Sequence, residues 1–200
     1  VPTVHFINSL NPKVDTSVLF ILGQNPGFHE DQQGIPFVGR GGNILKEAYI
    51  GGCKLHEKAT IYLGNGVRCF SDKETPKPRH FIECNQYTIE DLKRIQPDIV
   101  LTLGAQETTS FYKNILGVPK ISLKKSFSLN GNYYSTEQHK IKGVGGFHVF
   151  STFHPSAVIR NNNHINSVHS HMELLSDCLD GTMATPSSPV IVSTRSPNES

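Results

Sequence analysis

The feature that most constrains the fold of this chain is the alternation of short apolar runs with helix-like stretches. The apolar runs have the length and continuous hydrophobicity of buried parallel strands, and they cover residues 18–22, 60–63, 98–103 and 147–150. The segments between them predict helices over about 43–49, from Thr88 onward, from Ala105 to just before Gly117, and over about 165–179. This alternation predicts an α/β domain of three layers, α/β/α, around a central four-stranded, mostly parallel sheet.

A single domain accounts for most of the chain. We interpret residues 1–180 as that domain, and residues 181–200, which are rich in Pro, Ser and Thr, as a disordered tail or a linker. The Lys-rich segment 120–142 predicts a hairpin or surface excursion. Because the chain begins with Val rather than Met, we interpret it as a fragment or a processed product.

The charge and the cysteines limit the classes of partner and compartment. The formal net charge of +2 is mildly basic, which permits a nucleic-acid partner without requiring one. No run of eighteen apolar residues and no signal peptide is recognisable, so no membrane span is expected. The four cysteines are irregularly spaced, which favours a reducing, cytoplasmic compartment.

Small and polar residues follow each predicted strand, where an open α/β sheet binds its ligands. These segments are Gly23–Gly27, Gly64–Gly66, Gly104–Gln106 and Phe153–Ser156. Taken singly, each has a structural alternative: a turn at Gly23–Gly27, a left-handed residue at Asn65, a cap at His154. Their shared position predicts one composite site. Glycine-rich phosphate loops and a nucleophile elbow are absent from the sequence, which argues against nucleotide cofactors and acyl transfer.

These segments resemble the uracil-DNA glycosylase superfamily, most closely its iron–sulfur family 4. Pro36-Phe37-Val38-Gly39-Arg40 resembles that family's Pro-Phe-Val-Gly-Arg, and Asn65-Gly66-Val67-Arg68-Cys69 resembles its Asn-Val-Val-Lys-Cys. Leu103-Gly104-Ala105 and His154-Pro155-Ser156-Ala157 match further blocks in the same order, so that the resemblance covers about residues 18–161. It implies the glycosylase fold and an enzyme of base excision repair that hydrolyses the N-glycosidic bond of uracil, or of a related damaged base, in DNA and leaves an abasic site.

The resemblance also implies roles for individual residues. Phe37 would stack on the flipped uracil, although core packing is its structural alternative, and Asn65 would hydrogen-bond the uracil edge. His154 would donate to uracil O2 as negative charge develops there. Gly23 and Gln24 are assigned to substrate binding.

The first motif departs from family 4. Gly23-Gln24-Asn25-Pro26-Gly27 is similar instead to the mismatch-specific and single-strand-selective glycosylases, in which the Asn positions the attacking water. Asn25 is therefore the expected water-positioning residue. Since an amide is a poor base, this expectation favours a dissociative cleavage through an oxocarbenium-like sugar. For Glu30 and Asp31 an exposed acidic turn is the favoured interpretation, and assistance to catalysis is the alternative.

The cysteines match family 4 only in part. That family holds a [4Fe–4S] cluster through four Cys, and Cys69 and Cys84 match its second pair in order and approximate spacing. The first pair would lie just upstream of Val1, and Cys53 and Cys178 do not match it. Two thiolates cannot hold a cluster that takes four. Either the first pair has been lost from this chain or this branch has lost the cluster.

DNA is the expected partner, single- or double-stranded and uracil-containing, bound by a monomer in a bacterial, archaeal or phage-infected cell. Lys124, in the most basic stretch, would contact phosphates, although a solvated loop is the alternative. Ser156, Val158 and Arg160 lie in a segment that resembles the superfamily's insertion loop, which fills the gap left by the flipped base. The rival hypothesis is a non-catalytic DNA-binding module that forms part of a larger replication protein or polymerase.

Overall fold

A computed structural model describes residues 8–9, 16–71, 75–126, 133–135 and 141–182 of the chain. One six-stranded sheet lies at its centre, in the order β1-β3-β2-β4-β6-β5. The strands are β1 (Asn8–Ser9), β2 (Ser17–Gly23), β3 (Ala59–Asn65), β4 (Ile99–Leu103), β5 (Tyr133–Ser135) and β6 (His148–Thr152). The four central strands run parallel, whereas β1 and β5 pair antiparallel at the two edges. The predicted four-stranded parallel core is confirmed.

Helices follow most of the strands and complete the outer layers. They are α1 (Phe28–Gln33), α2 (Arg40–Ile44), α3 (Leu55–Lys58), α4 (Pro78–Ile95), α5 (Ala105–Ser110), α6 (Leu123–Ser126), α7 (Pro155–Arg160) and α8 (His164–Leu179). Two π-helical segments, Leu45–Gly51 and Phe111–Ile115, continue α2 and α5. None of the helices in the described ranges combines the length and the hydrophobicity needed to cross a bilayer.

The sheet is covered on both faces, as three layers require. Side chains alternate along β2, so that Leu19 and Ile21 pack with residues of α8 and of the segment after α2, whereas Phe20 and Leu22 pack with residues of α4 and of the segment after α5. Each face therefore has its own buried apolar cluster. The chain passes from β2 to β3 in one direction and from β4 to β6 in the other, which opens a crevice at the carboxyl ends of β2 and β4.

The predicted helices near 43–49, 105–116 and 165–179 are confirmed, but the start predicted for the second helix is wrong. That helix, α4, begins at Pro78, and Thr88 is buried within it. Proline suits the first helical position because the missing N–H needs no partner there. The Lys77 N–H donates to His80 Nδ1 at 3.2 Å, which supports the same start.

Two segments assigned from composition are only partly within the described residues. Within 120–142, β5 pairs antiparallel with β6, which lies beyond that segment, and residues 127–132 and 136–140 are not among the described residues, so the hairpin or surface excursion stays a prediction. The predicted tail also lies outside it, apart from residues 181–182.

Candidate active site

The loops after β2 and β3 are joined just beyond the ends of their strands. Gly23 and Asn65 are partners in the parallel ladder. The Gly66 N–H donates to the Gly23 carbonyl, and the Val67 N–H donates to the Gln24 carbonyl, both at 2.9 Å. Asn65 is therefore fixed beside the turn that carries Asn25.

A cavity of about 310 Å³ opens at this edge of the sheet, and it brings together Asn25, Phe37, Asn65 and His154. Its volume is at the lower end of the range for small-molecule sites. A second, wider cavity of about 680 Å³ adjoins it, and the two share Asn25, His154 and Ser156. Gln24 and Arg160 line the wider cavity, whereas Gly39, Arg40 and Gly41 line the smaller one. The arrangement is a smaller open cavity beside a larger one, with a shared wall.

The backbone of Phe37 has a left-handed conformation that residues other than glycine rarely adopt. Its φ angle is 58° and its side chain is buried. Gly42 makes this possible, because a Cβ there would collide with the backbone of Phe37. Phe37 also belongs to one of the two apolar clusters, so its ring both lines the pocket and packs in the core.

Gly23 lies between Phe37 and Asn65. A Cβ at this position would be 2.5 Å from Phe37 Cζ and 2.7 Å from Asn65 Oδ1. The ring and the amide therefore approach the β2 backbone as closely as a glycine allows.

The amides of the β2 loop have defined partners. Asn25 Nδ2 donates to the Pro26 carbonyl at 2.9 Å, which orients the carboxamide. Gln24 Nε2 donates to Gln106 Oε1, linking the loop after β2 to the start of α5.

His154 caps α7 with its own side chain. Its Nδ1 accepts from the Ser156 N–H at 3.2 Å and lies 2.8 Å from Ser156 Oγ. Because a backbone N–H can only donate, Nδ1 is the unprotonated nitrogen and the neutral ring carries its proton on Nε2. Burial, reinforced by the nearby Arg160 cation, lowers the pKa of His154 to about 4. At neutral pH the ring is therefore an uncharged hydrogen-bond donor.

Glu30 makes two contacts at the site that the sequence did not reveal. We expected an exposed acidic turn, but the half-buried Glu30 carboxylate accepts from the Gly27 N–H at 3.1 Å and from the Gly39 N–H at 2.8 Å. It thereby joins the Asn25 turn to the loop after Phe37. Because Glu30 and Gly39 are nine residues apart in the chain, no local sequence pattern indicated this contact.

The residues expected to contact DNA occupy different environments. Arg160 is exposed beside the wider cavity, and Ser156 lies on the wall common to both cavities. Val158 corrects the prediction, because its side chain is buried in an apolar cluster and does not face outward to DNA. Lys124 is exposed on α6 and lines neither cavity.

Burial raises the pKa of the Cys84 thiol, and the nearby Cys69 raises it further. Cys53 and Cys178 pack against the apolar cluster between the sheet and α8, away from this pair. Within the described ranges, no three metal-binding side chains come together. The described residues therefore bring together two thiols, fewer than the four that a [4Fe–4S] cluster takes.

Three buried ionisable residues, Arg68, Asp91 and Glu107, pack near the end of β3 where Asn65 lies. Arg68 is 1% exposed and pairs with Asp91, whereas Glu107 is 2% exposed and packs against Gly66. Burial raises the pKa of Glu107 to about 8, although Arg68 acts in the opposite direction. The carboxyl is therefore largely protonated at neutral pH.

Comparison with known proteins identifies similar chains. A family model described as the uracil DNA glycosylase superfamily matches residues 12–174. A type-4 uracil-DNA glycosylase of Thermotoga maritima is 33% identical over 153 residues, which are 74% of this chain and 69% of that protein. Proteins of the same name from Saccharolobus solfataricus and Archaeoglobus fulgidus are 26% and 27% identical, over 72% and 70% of this chain. The chain spans 62% of the former and 66% of the latter.

Proposed function

The chain belongs to the uracil DNA glycosylase superfamily, and on that premise we propose that it hydrolyses the N-glycosidic bond of uracil in DNA and leaves an abasic site. The observation that carries the proposal is the convergence of Asn25, Phe37, Asn65 and His154 on one cavity. Stacking, edge recognition, a leaving-group donor and a water-positioning group are the functions this reaction requires. Each of the four side chains has the chemistry for one of them.

Phe37 and Asn65 recognise the flipped base. The Phe37 ring offers an apolar face on which uracil stacks. The Asn65 carboxamide accepts from uracil N3–H through its oxygen and donates to O4 through its nitrogen, a pairing that cytosine does not match. Both side chains lie against Gly23, so their positions are set before the base arrives.

His154 stabilises the leaving base. As the glycosidic bond lengthens, negative charge develops on uracil O2, and Nε2–H donates to it in the manner of an oxyanion-hole donor. The bond from the Ser156 N–H to Nδ1 fixes the tautomer that makes this donation possible. The lowered pKa of His154 keeps the ring neutral at neutral pH, and the neutral ring still carries the Nε2–H that donates.

Asn25 orients the attacking water. Because its Nδ2 is bonded to the Pro26 carbonyl, Oδ1 is the atom that accepts from a water molecule. An amide removes no proton from that water, so the sugar cation forms before the water adds, and the proton that the added water loses goes to the departing uracil anion. Stabilisation of the departing base, rather than base catalysis, therefore supplies most of the rate.

The iron–sulfur cluster implied by the resemblance lies outside this mechanism. Cys69 and Cys84 would provide two of its four thiolates, and the described residues do not complete the set. When bound, such a cluster would cross-link the loop after β3 to α4. No step of the reaction is derived from it.

The proposal is tested with a labelled oligonucleotide that contains one uracil, treated with the protein and then with alkali to cut abasic sites. Asn25→Ala should lose rate while binding DNA about as well as the native chain. Asn162→Ala is a matched control, because Asn162 is exposed and lines neither cavity. If the native protein binds DNA but leaves uracil, mismatched thymine and hypoxanthine intact in single and double strands, the non-catalytic module replaces the enzyme.

A further inference from the structure

An exposed aromatic side chain lies at the mouth of the base cavity. Phe28 is the first residue of α1, lines the smaller cavity and is 58% exposed. Among the residues that the structure describes, Phe28 and Ile82 are the large hydrophobic side chains left exposed, each to 58%. Scattered exposed apolar side chains are common, so position and surroundings must show whether this one has a function.

Neighbouring rings hold Phe28 in place. The Phe70 ring, from the loop after β3, meets it edge to face at a centroid distance of 6.2 Å and an interplanar angle of 69°. The His29 ring contacts it at 5.6 Å and 75°. Phe28 is thus both exposed and supported by a second loop of the site. A side chain ordered in advance loses little entropy when a ligand stacks on it.

The positive charge of Arg40 at the cavity mouth suits a nucleic-acid strand, as an exposed aromatic ring does. Arg40 is exposed and lines the cavity together with Phe28. Single-stranded nucleic acid is bound by aromatic rings that stack on bases and by cations that contact the backbone. Phe28 and Arg40 supply one of each at the entrance to the pocket proposed for the flipped base.

We propose that Phe28 is a stacking platform for the base next to the flipped uracil on the same strand. The inference rests on the proposed function, since flipping is what removes that neighbour's stacking partner. The Phe28 ring then takes the place of the lost partner. The platform adds affinity for the strand that carries uracil and makes no contact with the reacting bond.

The test measures binding of oligonucleotides that contain a non-cleavable 2′-fluoro analogue of deoxyuridine. Three are compared: one intact, one with a tetrahydrofuran residue in place of the 5′ neighbour, and one with it in place of the 3′ neighbour. Phe28→Ala should weaken binding of the intact strand by roughly 5- to 150-fold, the equivalent of ~1–3 kcal/mol per stacked base. On one of the two tetrahydrofuran strands the same substitution should have almost no effect, and that strand identifies the stacked side.

Further variants separate stacking from loss of apolar surface. Phe28→Trp should bind the intact strand about as well as the native chain, whereas Phe28→Leu, which keeps apolar bulk but has no aromatic face, should resemble Phe28→Ala. Ile82→Ala is the matched control, since Ile82 is equally exposed and lines a different cavity. It should leave the dissociation constant unchanged.

The inference is overturned if Phe28→Ala binds the intact strand like the native chain, or if it weakens all three strands equally. The fate of the proposed function is read separately, from uracil release by the native protein. Strand-specific loss in Phe28→Ala without uracil release would support the platform and reject the glycosylase. Uracil release that proceeds with no dependence of binding on Phe28 would do the reverse.

Discussion

At the scale of single residues, Gly23 is the position where one added methyl group would disturb the proposed base pocket most directly. The Cβ of alanine would lie within 3 Å of both Phe37 Cζ and Asn65 Oδ1. We expect Gly23→Ala to displace one or both side chains and to lower kcat/KM on a uracil oligonucleotide by at least about tenfold, a loss of ~1.4 kcal/mol.

Gly146→Ala is the control for Gly23→Ala. A Cβ at Gly146 would meet nothing within 4 Å, and the residue needs no left-handed backbone. It should leave kcat/KM unchanged. Equal activity of the two variants in steady-state assays would show that the contacts around Gly23 do not set the pocket.

The second prediction at this scale concerns His154. Since its pKa is lowered to about 4, the ring stays neutral from pH 8 down to about 5, and its contribution to kcat should be constant over that interval. As pH falls through about 4, protonation of Nδ1 disrupts the bond from the Ser156 N–H, and kcat should fall. His154→Ala should lose roughly a hundredfold or more in single-turnover rate at neutral pH.

The control for His154 is His169→Ala, an exposed position on α8, which should preserve both the rate and its pH profile.

The lowered pKa of His154 also affects the stability of the fold. The unfolded chain takes up a proton near pH 6.5 and the folded chain near 4, so His154 stabilises the fold above 6.5 and loses this contribution between those values. A rate that follows a group titrating near 6.5 would contradict the assignment of a neutral His154.

The sequence was informative about which residues gather, but not about how they are held. Asn25, Asn65 and His154 could be placed because each follows a strand whose carboxyl end defines the ligand edge. Phe37 comes from a connection between elements and could be placed only through the resemblance of Pro36-Phe37-Val38-Gly39-Arg40 to the family motif. Its positive φ depends on the glycine at position 42, and no local pattern predicts that conformation. Val158 was misplaced because it faces the core from a helix that the sequence did not predict.

At the scale of elements, Glu30 joins α1 to the loop that precedes α2. Its carboxylate accepts from two backbone N–H groups, and hydrogen bonds to a charged group contribute about 1.5–3 kcal/mol each. Because Glu30 is only half-buried, we expect Glu30→Ala to lower the free energy of unfolding by about 1–3 kcal/mol in urea denaturation. It should also lower kcat/KM, because the Asn25 turn and the Phe37 loop separate.

Glu30→Gln keeps one acceptor oxygen and should fall between the native chain and Glu30→Ala in both measurements. Glu47→Ala removes an exposed carboxylate from the segment after α2 and should change neither. Loss of stability without loss of activity in Glu30→Ala would show that Glu30 supports the fold but does not position the site.

The strands were the elements that sequence predicted best, because burial on both faces makes them continuously apolar. The helices were harder to delimit. α4 begins at Pro78, and its buried residues Phe81, Cys84 and Thr88 recur at helical spacing from upstream of the predicted start. The π-helical segment Leu45–Gly51 places the Tyr49 hydroxyl 2.8 Å from the Phe153 carbonyl, just before His154. Such long-range contacts depend on tertiary packing and are invisible in a single segment.

At the scale of the whole molecule, the direction of the chain through the sheet explains where the site lies. β2 and β4 are neighbours, and the connection that leaves β2 runs to β3 on one side, whereas the connection that leaves β4 runs towards β6 on the other. Loops from β2, β3, β4 and β6 therefore meet at one end of the sheet. The buried clusters on its two faces keep these loop origins rigid, which suits a site that acts by positioning rather than by closing on its substrate.

Glu107 should make the whole fold less stable as pH rises from 4.5 towards 8. The folded protein keeps its proton up to about pH 8, whereas the unfolded chain releases it near 4.5. The native state thus binds more protons across this interval, and the contribution of Glu107 to stability, fully present below 4.5, is lost as pH rises towards 8. Glu107→Gln, which cannot titrate, should gain stability relative to the native chain by up to about 1.4 kcal/mol per pH unit.

Urea denaturation of both proteins at several pH values between 4.5 and 8 measures this difference, and titrations common to both cancel from it. Glu47→Gln, at an exposed position, should give an offset that does not change with pH. A constant offset for Glu107→Gln would mean that the buried carboxyl is ionised throughout, held so by the Arg68 cation rather than protonated by burial. Because Gly66 packs directly on this carboxyl, a pH-dependent offset would also show that the loop carrying Asn65 rests on an uncharged acid.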